Sequence, residues 1–152
     1  DVIGTDHCSF SMKQKALGGG EFSKTPNGGA GVQNRAQLIY TYAVKTGKIT
    51  LPQMALLMSE NAARLFGIAP HRGVLAEGAE ADIAIYNPEG ESTISFRTNA
   101  HHCDNSPYEG MKVTGSVSDV LLGGKHIVKD GELVLEGKGR YVFRKTGVRY
   151  RS

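Results

Sequence analysis

Val2-Ile3-Gly4-Thr5-Asp6-His7-Cys8 places a carboxylate and an imidazole directly after a short apolar run, and the rest of the chain takes its meaning from that junction. The run has strand character. A loop follows over residues 9–35, punctuated by Gly18-Gly19-Gly20 and by Pro26-Asn27-Gly28-Gly29. In a barrel enzyme the C-terminal end of a strand is where catalytic groups sit, which makes Asp6 the first candidate. Composition alone favours a plainer reading, with Asp6 capping a turn and His7 a hydrogen-bonded loop histidine. A loop this long inside a domain is expected to line a site. Neither glycine run precedes the Lys-Ser/Thr of a phosphate loop or makes GxGxxG after a strand, so a phosphate cradle is not indicated. Glycine also uncovers backbone N–H and C=O groups, which suits close approach of a ligand.

Outward from the loop, apolar residues Ile39, Tyr40, Ala43 and Val44 recur at helical spacing, and Gly47 supplies a stop. Thr50-Leu51-Pro52-Gln53 has the form of a capping box with Pro in the first turn, opening a second helix that continues through Asn61 to Phe66 and ends at Gly67. Beyond Pro70 and Gly73 the pattern changes. Strands are expected at residues 74–75, 82–86 closed by Asn87-Pro88, 93–96, 113–122, 125–128 and 132–135, with hairpin turns at Gly123-Gly124 and Asp130-Gly131. The domain boundary falls at about residue 71.

With 152 residues, 39% hydrophobic, 22% charged and 20 glycines, the composition is that of a loop-rich globular protein. No apolar run approaches the roughly 20 residues of a membrane span, and no signal-peptide pattern opens the chain, so a cytoplasmic protein is expected. The opening lacks an initiator Met, from which further chain upstream is expected. Cys8 and Cys103 are expected to be reduced thiols. Net charge is +3, yet residues 138–152 hold six basic side chains and no acid, leaving 12 basic against 15 acidic in the rest. Interspersed with Tyr141, Val142, Phe143, Val148 and Tyr150, those charges read as a solvated arm on a partner subunit rather than a nucleic-acid or membrane site. The five histidines form no HxH, HExxH or i,i+4 pair. His101-His102-Cys103-Asp104 has ligand chemistry, but adjacent side chains on extended chain diverge, and an ordinary loop is the better reading.

Ile3-Gly4-Thr5-Asp6-His7-Cys8 and Phe22-Ser23-Lys24-Thr25-Pro26-Asn27-Gly28-Gly29 together resemble the hydantoinases and dihydropyrimidinases, cyclic amidohydrolases of the amidohydrolase superfamily. Ser59-Glu60-Asn61-Ala62-Ala63-Arg64-Leu65-Phe66-Gly67 is similar to the helix of that family, residues 72–83 to the start of its small β-domain, and Ser106-Pro107-Tyr108-Glu109-Gly110-Met111 and Gly137-Lys138-Gly139-Arg140-Tyr141 to later segments. The similarity runs from end to end in one order.

The resemblance implies an α/β plus β chain. Residues 1–71 would be the last strand and outer helices of a metal-dependent hydrolase TIM barrel, 72–136 strands of the small β-sandwich domain, and 137–152 a basic C-terminal arm. It implies Asp6 as metal ligand and proton carrier, and the backbone at Asn27 and Gly28 as the contact with the ring of a cyclic amide or imide. Two divalent ions, zinc on ligand chemistry, are implied for the full-length enzyme, which hydrolyses the ring amide of hydantoins or dihydropyrimidines to N-carbamoyl amino acids. A homotetramer or dimer is implied too. The family's HxH, bridging carboxylated lysine, further histidines and substrate-binding serine lie upstream of the residues seen here. This chain alone is therefore expected to bind no metal, to be inactive and to self-associate through uncovered faces. Ser9 stands where many relatives have Pro, and His101–Asn105 receives no role. The alternatives are a non-catalytic dihydropyrimidinase-like adaptor, an allantoinase or dihydroorotase, and a free-standing module of β-hairpins.

Overall fold

Reciprocal side-chain caps fix where helices begin in this chain, seen here in a computed structural model that describes residues 1–137 and 139–144. Ser11 accepts the Gln14 backbone N–H while the Gln14 side chain accepts the Ser11 N–H, which starts α1 (Met12–Lys15). Thr50 and Gln53 repeat the exchange at the head of α3 (Leu51–Ala55), with Pro52 in the first turn. That helix winds wider over Leu56–Glu60, where the Asn61 N–H reaches the Leu56 carbonyl, and runs on as α4 (Asn61–Leu65). Between them α2 (Arg35–Ile39) continues through a second wide turn at Tyr40–Val44. Both expected stops hold: Gly47 and Gly67 adopt positive φ, 74° and 70°.

Four antiparallel strands follow in the order β1 (Ile83–Thr93), β2 (Lys112–Leu122), β3 (Lys125–Lys129) and β4 (Glu132–Leu133). The two hairpin turns lie where the sequence put them. Gly123-Gly124 and Asp130-Gly131 both take positive φ at both central residues, the geometry that matches the twist of the strands they join.

Several expectations are corrected. Asn87-Pro88 does not end a strand: β1 bulges between Asn87 and Glu91 and continues to Thr93, so residues 93–96 form no separate strand. A proline, lacking an N–H, is tolerated in a ladder at such a bulge. Residues 2–5 carry strand-like sequence but, among the described residues, have no strand to pair with. Their backbone tie is a single bond from Ile3 N–H to the Leu57 carbonyl, 3.1 Å. Residues 74–75 are likewise unpaired, and β4 ends at Leu133 instead of residue 135. The loop over residues 9–35 is not bare, because it holds α1 and the tight turns Ala16–Gly18 and Phe22–Lys24.

Helix α2 and its extension lie along β2 and bond to its backbone through side chains. Gln37 Nε2 donates to the Gly115 carbonyl (3.1 Å), the Tyr42 hydroxyl to the Lys112 carbonyl (2.8 Å), and Thr41 Oγ1 accepts the Thr114 N–H (2.9 Å). Side chains of a helix thus satisfy strand groups that β3, paired only from Val120 onward, does not reach. Gly115 is obligatory here: at φ 74° a Cβ would stand 2.6 Å from the Asn87 carbonyl oxygen and 2.7 Å from the Tyr86 ring. Tyr86 packs on Tyr40, ring centroids 5.0 Å apart, and its hydroxyl donates to the Thr114 carbonyl at 2.8 Å. Burial, and then the neighbouring Tyr40, push the Tyr86 phenol up from 10.0 to about 12. Because the folded state keeps this proton where an unfolded chain loses it, stability should fall as pH rises from about 10 towards 12. An ultraviolet titration should show one of the six tyrosines ionising only near pH 12 until the chain unfolds.

The interior is thin. Buried apolar residues among those described are Ala30, Ala63, Ile94 and Val113. Accessible surface is 11061 Å², against about 7500 Å² for a globular monomer of this mass. Phe22 is 90% exposed and Leu75 85% exposed, with Leu17, Leu65 and Phe66 also uncovered. No described helix is long and apolar enough to cross a membrane.

Candidate active-site loop

Asp6 turns the chain. Its φ of 47° is a left-handed conformation that few residues other than glycine adopt, though Asp and Asn tolerate it better than most. Such a kink is retained where surrounding structure enforces it, and it concentrates at functional sites. The Asp6 side chain is exposed, and among the described residues its carboxylate has no ion-pair partner.

His7 points the other way, into the loop. Its Nδ1 accepts the N–H groups of Gly31 (3.1 Å) and Val32 (3.2 Å), which places the ring proton on Nε2. The plain reading of His7 as a hydrogen-bonded loop histidine therefore holds. The Cys8 N–H donates to the Gly29 carbonyl at 3.1 Å, and His7 and Gly29 form a parallel bridge. Segments 6–8 and 26–29 thus lie side by side.

Gly28 is what allows the approach. It sits at φ 109°, and a Cβ there would stand 2.6 Å from both the Cβ and the carbonyl oxygen of Cys8. Asn27 is exposed, and among the described residues its backbone N–H and C=O make no hydrogen bond. The Lys15 ammonium reaches across from α1 to the carbonyls on either side, Pro26 at 2.5 Å and Gly28 at 2.6 Å.

A second segment braces the loop from behind. Asn105 Nδ2 donates to the Phe10 carbonyl (2.8 Å), Cys103 Sγ to the same oxygen (3.3 Å), and Asp104 Oδ1 accepts the Met12 N–H (2.9 Å). The Met12 bond, then the Asn105 amide, hold the Asp104 carboxyl below its ordinary range. His101 stacks at a tilt on His7, centroids 5.8 Å apart, while its Nδ1 accepts the Cys103 N–H. Asn34 and Asn99, both buried, exchange amide bonds of 3.3 Å, and the Tyr108 and Pro107 side chains close over Gly31 and Gly29. Residues 101–105, which received no role from their sequence, hold the Asp6 loop, and both cysteines are free. Among the described residues no three His, Cys, Asp or Glu side chains gather as a metal site. Asp6, unpaired and exposed, leaves a carboxylate free to ligate a cation. Lys15 and the brace escaped sequence reasoning; a lysine followed by a glycine turn is too common a pattern to flag them.

Comparison with known proteins gives the family. Residues 1–127 match the description "Amidohydrolase family". The chain is 44% identical over 145 residues to a D-hydantoinase of Geobacillus stearothermophilus, covering 94% of the chain and 31% of that protein. It is 41% identical over 147 residues to a D-phenylhydantoinase of Escherichia coli, covering 95% of the chain and 32% of the relative. Its fold superposes on a crystal structure of dihydropyrimidinase from Brevibacillus agri with a TM-score of 0.93 at 40% identity, over 97% of the chain and 32% of that structure. The chain thus spans about a third of the length of the relatives it matches, nearly all of it alignable with hydantoinases. A match over residues 1–127, most of the chain, establishes that the chain belongs to the amidohydrolase family.

Proposed function

We propose that this chain is part of a metal-dependent cyclic amidohydrolase that opens hydantoin or dihydropyrimidine rings to N-carbamoyl amino acids. The observation that carries the reading is the pairing of an unpartnered carboxylate, Asp6, held in a kinked conformation, with the uncovered backbone of Asn27 on the adjoining segment, where Gly28 permits a close approach. The names of the relatives, D-hydantoinase and dihydropyrimidinase, give the substrate class.

On this reading the Asn27 N–H and C=O and the Gly28 N–H are offered to the matching edge of a ring amide or imide and orient it, and Asp6 has two tasks. It contributes one ligand to the metal centre. It also takes the proton from the attacking oxygen and delivers it to the ring nitrogen as the C–N bond breaks. Two divalent ions, zinc by the mixed nitrogen and oxygen ligation expected, would supply an activated hydroxide and polarise the ring carbonyl when bound. Residues 1–71 would complete a barrel whose other strands lie elsewhere in the full-length protein, with 72–136 in the small β-domain. The uncovered Leu17, Leu65 and Phe66 would pack on that missing part or on neighbouring subunits of a homotetramer or dimer. The basic arm of residues 137–152, much of it outside the described residues, would reach a neighbour.

Zinc content and ring opening, measured for this chain and for the full-length product of its gene, test the proposal. About two zinc ions per chain with opening of dihydrouracil or hydantoin in the long form, and neither in the short one, are expected. A long form that binds no metal and opens neither ring would leave the non-catalytic adaptor reading in its place.

A further inference from the structure

We propose that Lys15 is the positioning residue for the backbone that reads the substrate, setting affinity for the ring rather than the rate of its hydrolysis. This rests on the functional reading above. Surface lysines ordinarily point to water or pair with an acid. Lys15 does neither: it is half-buried, no carboxylate pairs with it among the described residues, and its ammonium donates to the carbonyls of Pro26 and Gly28 at 2.5 and 2.6 Å. Hydrogen bonds from a charged donor are stronger than ordinary amide bonds.

The two carbonyls flank Asn27, whose own N–H and C=O are unbonded among the described residues and available to a ligand. Beyond the Cys8–Gly29 bond that anchors its far end, residues 26–28 make no backbone–backbone bond among the described residues. Pro26 has no N–H to donate, and Gly28, at φ 109°, has wide conformational freedom. Lys15 itself is held. Its ammonium lies 5.3 Å from the Phe10 ring centroid, the Phe10 carbonyl is fixed by Asn105 and Cys103, and the head of its helix is fixed by the Ser11–Gln14 exchange and by Asp104. A continuous set of bonds therefore runs from residues 103–105 through Phe10 and Lys15 to the carbonyls around Asn27.

Contacts from that backbone to the ring exist before and during reaction alike. Loosening them should weaken binding of substrate and transition state together, raising KM with kcat preserved. In the full-length enzyme, Lys15→Met keeps the stem and removes the donors. The expected result is a KM for dihydrouracil or hydantoin raised about tenfold or more, with kcat within about threefold and metal content unchanged. Lys15→Arg retains donors for both carbonyls and should bring KM back to within about threefold of the unsubstituted enzyme. An unchanged KM in Lys15→Met overturns the assignment. So does a joint fall in kcat and bound metal that arginine does not repair, since that is the signature of a merely structural residue. If the unsubstituted enzyme opens no ring at all, it is the functional reading that has failed and this inference falls with it.

Discussion

On the proposed ring opening, Asp6→Asn in the full-length protein should lower kcat by about a thousandfold, within the range that a positioned proton carrier contributes to catalysis. Asparagine is the informative replacement because it tolerates the left-handed φ of 47° nearly as well as aspartate. It keeps the size of the side chain and removes the negative charge and the basic oxygen. The melting curve should barely move while activity disappears and bound metal falls by about one ion per chain. Activity retained to within about tenfold would show that Asp6 is neither ligand nor proton carrier, and the plain reading of this residue as a turn-former would stand.

The second large effect belongs to Gly28→Ala. Two penalties act at once. A side chain at φ 109° is strained by about 1–3 kcal/mol, and its Cβ would overlap the Cys8 Cβ and carbonyl oxygen, each 2.6 Å away. Cys8 cannot retreat without breaking its bond to the Gly29 carbonyl and dragging Asp6 with it. A lowered melting temperature and at least about a hundredfold loss of kcat/KM are therefore expected together, in contrast to the stable but inert Asp6→Asn. Full activity in Gly28→Ala would mean that the turn does not lie against Cys8 in the working enzyme.

Local chemistry made much of this fold readable. The Thr50–Gln53 cap, the stops at Gly47 and Gly67, and the turns at Gly123-Gly124 and Asp130-Gly131 each depend on two or three neighbouring residues, and each was found where it was expected. The bulge at Asn87-Pro88 was missed because a proline reads as a strand end unless the partner strand is known, and here the partner is Thr114 to Ser116. Residues 2–5 misled for a related reason: a short apolar run announces a strand, but a strand exists only when another chain segment lies beside it. At the site, Asp6 and the Asn27-Gly28 turn stood out through residue type alone. Lys15 and the segment around Asn105 did not, since their partners are 11 to 95 residues distant and no local pattern encodes them.

Those distant bonds bear on how such enzymes can be recombined. The loop that carries Asp6 and Asn27 is anchored at Phe10 and Met12 by side chains more than ninety residues later. Residues 6–34 and 99–108 are consequently one heritable unit in two pieces, and a crossover between them would seat a loop from one parent on a mount from another. A chimera that exchanges only the first piece should inherit its donor's Asn27 turn but not the alignment of that turn, whereas transplanting both pieces together carries the geometry across.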